Sequence, residues 1–339
     1  MTTTGRAILF GGSGFIGMHL ARHLLARELA TEVVLADIRR PRADLPAPLR
    51  EAVARCRFVR VDVRQPIDDA LVRGPFDLVV NLAAVHREPG HAAHEYFETN
   101  IHGAEHVCAF AAASGSNRLV FTSSISPYGP TALPKDERSL PTPTTAYGAS
   151  KLVAEKIHLA WLGGDAARRL VIARPGVVFG PGEGGNVTRM VRAIRRGYFT
   201  FVGNRLVRKA AGYVKELCGA LEWALRIVED REDRHLLFNF SLAPPPSLGE
   251  MAEAIGRAHA IAPPTLSLPY LPILAASHAI ANIAGRLGIE QPVDPVRVRK
   301  LVRSNHILPS VMLELGYPYA FTLDRALADW RADAPDEWR

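Results

Sequence analysis

Ala7-Ile8-Leu9-Phe10-Gly11-Gly12-Ser13-Gly14-Phe15-Ile16-Gly17 decides how this chain folds. Ala7 to Phe10 reads as a short buried strand, and the run from Met18 to Leu29 reads as a helix. Glycines stand between them at 11, 14 and 17. Without side chains there, the backbone can turn sharply and come close to a pyrophosphate. The start of the helix then offers free N–H groups and the positive end of its dipole. A glycine triplet alone is weak evidence, but here it has the strand before it and the helix after it that a dinucleotide loop requires.

Working outward, a second strand from Glu32 to Ala36 ends at Asp37, about 20 residues beyond the loop, the spacing expected of a ribose-binding acid. A carboxylate there accepts both ribose hydroxyls and repels a 2′-phosphate, which favours NAD; Arg39 and Arg40 keep NADP open. Further strands read at Phe58–Val61, 76–81, Leu119–Thr122, Leu170–Ala173 and Leu236–Phe240. Helical runs alternate with them, notably Tyr96 to Ala113 with Asn100 inside. Alternation of this kind predicts an α/β fold with a doubly wound parallel (Rossmann) sheet. Gly11, Asp37, Asp62, Ala83 and Ser124 all fall at carboxyl ends of strands, where ligands of such sheets bind.

The 339 residues are 48% hydrophobic and 22% charged, the profile of a globular protein. A formal charge of +7 suits an anionic ligand or surface, and no nucleic-acid motif accompanies it. Cys56, Cys108 and Cys218 have neither disulfide nor metal spacing and are expected to be small buried or half-buried side chains. The apolar run near Met1 is too short for a signal-peptide core, so a cytoplasmic protein is expected.

Tyr147-Gly148-Ala149-Ser150-Lys151 adds chemistry. Residues four apart share a helix face, so the Lys151 ammonium is expected close to the Tyr147 side chain. A nearby cation favours the phenolate, and a phenolate can take a proton from a sugar or alcohol hydroxyl. Tyr-x-x-x-Lys alone is common by chance; its place after the glycine loop and the strands gives it weight.

These features together resemble the extended short-chain dehydrogenase/reductase family, in its nucleotide-sugar epimerase and dehydratase branch. The resemblance spans nearly the whole chain. It rests on residues 11–17, Asp62-Val63, Leu82-Ala83-Ala84, the run from Phe121 to Gly129, Tyr147-x-x-x-Lys151, and Arg174-Pro175 through Pro181. It implies a bound NAD held by Gly11, Gly14, Phe15, Ile16, Gly17, Asp37, Asp62, Val63, Leu82, Ala83, Ala84, Asn100, Tyr147, Lys151 and Pro175. It implies Tyr147 as catalytic base and acid, Lys151 on the nicotinamide ribose, and Ser124 on the reacting oxygen. Asp62 would meet the adenine, and Asn100 would support the active-site helix. A homodimer through the two long helices carrying Asn100 and Tyr147 is implied as well. Two positions depart from the family: Val177 stands where Asn is usual, and Glu216 where Asp is usual in the Lys209-to-Leu217 stretch.

The implied domain division is 1–178 plus 213–243 for NAD, and 179–212 plus 244–339 for a smaller, mostly helical substrate domain. In the latter, a helix from Thr188 to Arg196, with Asn186 at its approach, carries Arg189, Arg192 and Arg196 on one face, either a solvated basic face or a phosphate clamp. His86, Ser124, Asn186, Arg208 and Lys209 are the candidate substrate contacts, and no metal is expected. From Thr265 to Gly285 there is no charged residue. Pro269, Pro272, Ser277, His278 and Asn282 argue against a membrane span there. The reading preferred is a helix from about Ile273 to Leu287 packed on the domain core. The alternative is a face lying in the headgroup layer at the inner membrane surface, aided by Arg286, Arg297, Arg299, Lys300 and Arg303.

Within the family the likeness is nearest to epimerases acting on polyprenyl-diphosphate N-acetylhexosamines. The expected function is therefore an NAD-dependent C4 epimerase of surface-polysaccharide biosynthesis. Its substrate would be a nucleotide- or polyprenyl-linked sugar passing through a 4-keto intermediate. A 4,6-dehydratase would carry an Asp-Glu pair after the Ser/Thr, where Ile125-Ser126 stand. An NAD(P)-dependent reductase or dehydrogenase, or a non-catalytic NAD-binding protein, are the alternatives.

Overall fold

The apolar tetrapeptide at Ala7–Phe10 lies inside a central strand, β1 (Thr4–Phe10). The computed structural model describes residues 4–68, 72, 74–88, 90–287 and 295–339. The side chain of Arg297 and residues 1–3 and 288–294 of the expected domains fall outside that description. The other strands are β2 (Ala30–Asp37), β3 (Arg57–Arg60), β4 (Leu78–Asn81), β5 (Arg118–Thr122), β6 (Thr131–Lys135) and β7 (Arg169–Pro175). After them come β8 (Val177–Phe179), β9 (Phe201–Val202), β10 (Ala211–Tyr213), β11 (His235–Phe240), β12 (Ser267–Leu268) and β13 (Asn305–Ile307).

Seven strands form one parallel sheet in the order β11-β7-β5-β4-β1-β2-β3. Strand side chains alternate between faces, and both faces here are apolar. Leu9, Leu35, Val80, Val120 and Val171 fill one core, while Ile8, Phe10, Val34, Val79 and Ile172 fill the other. Continuous hydrophobic strands are what a sheet covered on both sides by helices demands. β7 runs on to Pro175 because its register with β11 continues to Phe240.

A third core, including Phe179, Val191, Phe201, Ile255 and Trp330, belongs to a smaller unit beyond the sheet's carboxyl edge. Here the pairs β8–β10, β9–β12 and β6–β13 replace the broad sheet. Buried polar ties join it to the large unit. His19 of the helix Phe15–Ala26 meets the Pro181 carbonyl at 2.8 Å, and burial drives its imidazole down to about 4, so it is neutral. Arg22 pairs with Asp333 at 2.5 Å. Glu216, the departure from the family's Asp, is buried; it accepts from Tyr317 Oη at 2.5 Å and from the Phe321 N–H at 2.7 Å. Its extra methylene is consistent with that reach, and its work is to pin the turn before the final helix, Leu323–Asp333. Cys108 and Cys218 are buried and Cys56 half-buried, with burial raising all three thiols.

The uncharged segment corrects its preferred reading. It forms a helix, Tyr270–Leu287, that starts three residues earlier than expected, with Pro272 in the first turn, where a missing N–H costs nothing. Ser277 and Ala284 are buried, but much of the helix is exposed. It packs on the next helix, Pro295–Val302, instead of into a core. Among the described residues no helix is long and apolar enough to cross a membrane.

Candidate active site

The sheet order reverses direction between β1 and β4, so the loops leaving those strands part and leave a crevice at their carboxyl ends. Gly11 and Ala83 face each other there. Gly11 has φ +73°, and a Cβ on it would stand 2.7 Å from the Ala83 nitrogen, so only glycine keeps the crevice open. The Leu82 N–H to the Phe10 carbonyl, 2.8 Å, fixes that approach. Behind it, a Cβ on Gly17 would fall 2.6 Å from the Gly12 carbonyl, so the helix Phe15–Ala26 sits tight on the loop.

Three features of this loop fit a dinucleotide. Gly14 caps the helix without a side chain, leaving first-turn N–H groups uncapped. The Ser13 hydroxyl is enclosed and has no hydrogen-bond partner among the described residues. The Ser13 N–H donates to Asp37 Oδ2 at 3.1 Å, which brings the acid at the end of β2 to the loop. Phosphates would lie on the N–H groups and the Ser13 hydroxyl, and the ribose on Asp37. Phe15 and Ile16, half-buried, back the loop. Val63 is buried, with its Cγ2 2.9 Å from where a Gly103 Cβ would lie, so the Asn100 helix (Ala93–Ala113) runs close beneath. The Asp62 carboxylate is held by Arg64 at 2.6 Å, and that hydrogen bond keeps it below the usual carboxylate range.

Asn100 is buried and fully used. Its Oδ1 accepts from the Val85 N–H at 3.0 Å, and its amide donates to the Val85 carbonyl at 3.2 Å and to Ser150 Oγ at 2.9 Å. It therefore ties the chain after Ala84 to the Tyr147 helix (Ala146–Gly163), whose N-cap Thr145 accepts from the Gly148 N–H.

On that helix Tyr147 is half-buried, and the neighbouring Ser124 hydroxyl favours its ionised form. Ser124 Oγ in turn is held by the Ser126 N–H at 3.1 Å, and the Ile125 N–H donates to the Pro175 carbonyl at 3.1 Å. Ser124 and Pro175 thus lie together at the tips of β5 and β7, and the Tyr147 helix packs on the same turn, since a Cβ on Gly148 would fall 2.6 Å from the Ser126 carbonyl. Lys151 departs from expectation. Its ammonium is buried, donates to the Thr122 carbonyl at 2.7 Å, and lies 4.6 Å from the Phe121 ring centre. Burial lowers it to about 7, partly offset by Glu155. The Tyr147 phenol is pushed up to about 12 by burial, with Ser124 opposing and the charge of Glu88 adding to the rise. A buried ammonium must find an acceptor, and the strand carbonyl supplies it. The helical spacing is as read, but the acidified phenol expected from it is not a property of the chain alone.

Beneath lies a buried chain of polar contacts. Glu155 accepts from Arg174 at 2.8 and 2.6 Å and from Ser123 Oγ at 2.5 Å; Arg174 also donates to Tyr128 Oη at 2.7 Å, and Tyr128 to Asn239 at 3.0 Å. Glu155 stands on the Lys151 face one turn further on, so helical spacing could have found it. Glu88 could not have been found that way. Its carbonyl and carboxylate receive the Lys300 ammonium at 2.6 and 3.3 Å across 212 positions of sequence. Tyr96, whose ring centre is 6.1 Å from that of Tyr147, was missed for the same reason.

The expected substrate contacts are scattered by comparison. His86 stands exposed at the crevice rim, its imidazole lowered by crowding and by the Lys151 charge. Asn186 is exposed at the start of the helix Asn186–Arg195 and accepts from Arg189. Arg189, Arg192 and Arg196 are all exposed. Arg208 donates to the Pro245 carbonyl at 2.7 Å and lies 3.7 Å from Glu250. Lys209 donates to the carbonyls of Lys300 and Arg303 at 2.9 and 2.6 Å, closing the end of the helix Pro295–Val302; burial lowers it to about 8.

The profile of the NAD dependent epimerase/dehydratase family matches residues 7–238. The chain belongs to that family. Across 94% of its length it is 26% identical to an N-acetyl-alpha-D-glucosaminyl-diphospho-ditrans,octacis-undecaprenol 4-epimerase of Escherichia coli O157:H7, covering 92% of that protein. It is also 26% identical, over 97% of its length and 90% of the relative, to a 3 beta-hydroxysteroid dehydrogenase/Delta 5-->4-isomerase of Mycobacterium tuberculosis. The fold superposes on MoeE5 in complex with UDP-glucose and NAD with a TM-score of 0.73, at 22% identity over 99% of this chain and 100% of that one. This family member is an NAD-dependent epimerase of the extended short-chain dehydrogenase/reductase type.

Proposed function

We propose that this epimerase inverts C4 of a diphosphate-linked N-acetylhexosamine used in surface-polysaccharide biosynthesis, with a polyprenyl carrier. The observation that carries the reading is the close packing of the Tyr147 helix on the Ser124–Ser126 turn at the carboxyl end of β5, with Lys151 buried on the same helix. The full-length match to a polyprenyl-linked 4-epimerase supports the substrate class. Val177, apolar where the family has Asn, fits a carrier without a nucleotide.

In this reading Tyr147 Oη takes the proton of the sugar's C4 hydroxyl and returns it after inversion. Ser124 donates a hydrogen bond to the C4 oxygen, stabilising it as it becomes a carbonyl. NAD⁺ held on the Gly11–Gly17 loop and Asp37 would supply a reversible hydride acceptor for C4 and a positive charge that favours the phenolate. Lys151 keeps a donor at the floor of the site, and Glu155 and Arg174 hold Ser123, and so its neighbour Ser124, in place. Asn100 fixes the helix on which Tyr147 rides. Exposed Phe97 and Val153, on the Asn100 and Tyr147 helices, support pairing of two copies through these helices.

The test is sugar analysis of the product after incubation with a polyprenyl-diphosphate N-acetylhexosamine and, in parallel, with its UDP-linked counterpart. C4 inversion of the lipid-linked sugar without added cofactor is expected, abolished by Tyr147→Phe with NAD still bound. Inversion of the UDP-sugar alone would refute the carrier. A second reading, a dehydrogenase that exchanges its cofactor, draws on the hydroxysteroid dehydrogenase relative. It predicts stoichiometric absorbance change of added NAD(P), which the epimerase reading forbids.

A further inference from the structure

The helix Tyr270–Leu287 has one side that nothing in the described structure covers. At about 100° per residue, buried Ser277 and Ala284 mark its inner side, against the helix Pro295–Val302. The outer side shows Leu271, 73% exposed, and Ile283, 57% exposed, with Ile280 at the edge. Leu266, just before strand β12, and Leu268 within it are also exposed, so exposed apolar side chains continue beyond the helix. An isolated exposed leucine needs no explanation; a run of them on adjoining elements does.

Among the described residues the charges on this helix and the next are basic, while Glu290 and Asp294 of the link between them fall outside the description. No carboxylate occurs from Thr265 to Leu287. Arg286 is exposed on the same outer side. Arg299 reaches His278 of this helix at 3.2 Å, and exposed Arg303 follows the helix Pro295–Val302. We infer that this face docks in the headgroup layer of a lipid bilayer carrying anionic lipids. Aliphatic side chains enter the acyl boundary there while arginines meet phosphate. A second copy is the poorer occupant, since a two-fold axis through the face would set like charges against each other. The neighbouring helix sends Lys300 to Glu88 beside the crevice, so a docked face lies on the same lobe as the candidate site.

The inference goes beyond the proposed substrate and is tested without any sugar. The full-length protein is sedimented with phosphatidylglycerol–phosphatidylethanolamine vesicles and with phosphatidylcholine vesicles, at low and raised salt. Pelleting with the anionic vesicles only, weakened by salt, is expected. Leu271→Glu and Ile283→Glu should each lower partitioning by about tenfold, the effect of returning one aliphatic side chain to water. Arg286→Glu should lower it by at least about fivefold. Unchanged NAD binding and thermal melting show that the exposed variants fold. Wild-type protein left in the supernatant with both vesicle types overturns the inference, as does pelleting that the substitutions do not change. A dimer that the same substitutions convert to monomer overturns it in favour of a second copy.

Discussion

Replacing Lys151 with methionine should stabilise the fold while destroying turnover. The ammonium is buried between the Thr122 carbonyl and the Phe121 ring, and burial brings it from the usual lysine value near 10.5 down to about 7. That drop corresponds to at most ~5 kcal/mol between the charged and neutral forms. Methionine removes this cost but also the hydrogen bond to Thr122, worth ~1.5–3 kcal/mol for a charged donor. The expected net gain is ~1–4 kcal/mol at neutral pH, the range found when buried charges give way to apolar groups of similar volume. Its pH dependence is the sharper test. The folded wild type sheds this proton near 7 and the unfolded chain near 10.5, so between them the unfolded chain binds more protons and stability rises with pH. The cost is complete below about 7 and gone above about 10.5. Urea denaturation of both proteins at about pH 6 and about pH 9.5 should therefore show the Lys151→Met advantage shrinking at the higher pH. Epimerisation should fall by ~10²-fold or more. An advantage equal at both pH values, or a variant less stable at both, would falsify the account of Lys151 as a charge kept for chemistry at the expense of the fold.

Glu155→Leu should cost ~3–5 kcal/mol in urea denaturation by stranding Arg174, whereas Glu155→Leu with Arg174→Leu should cost much less; additive losses would mean that the pair is not coupled. Glu88→Gln removes a charge that raises the Tyr147 phenol, so the phenol should titrate at lower pH, read by ultraviolet difference spectra against Tyr147→Phe; an unmoved titration would separate the two groups. Ser247→Ala breaks a reciprocal cap, in which Ser247 Oγ accepts from the Glu250 N–H at 3.1 Å and Glu250 accepts from the Ser247 N–H at 2.6 Å; it should cost ~1 kcal/mol with turnover unchanged.

The sequence by itself determined the sheet and the cofactor crevice. Apolar runs, helical periodicity and the glycine spacing at 11, 14 and 17 are local signals, and each acts within a few residues of where it is read. That is why β1, β2, β4, β5, β7 and β11 lie where the hydrophobic pattern puts them, with Gly11, Asp37, Ala83 and Ser124 at their ends. Only the tertiary structure decided where side chains with several possible partners went. Lys151 is four residues from Tyr147, yet its ammonium goes to a strand carbonyl. Lys209 reads as a substrate contact and closes a helix 91 positions away; Glu216 reads as a departure from the family's Asp and pins a turn 105 positions away. The uncharged run at 265–285 has the composition of a core helix, but composition cannot say whether another element lies over it. Long flexible charged side chains are placed by whichever donor or acceptor the folded chain brings within about 3 Å, and that choice is made between segments that no local pattern connects.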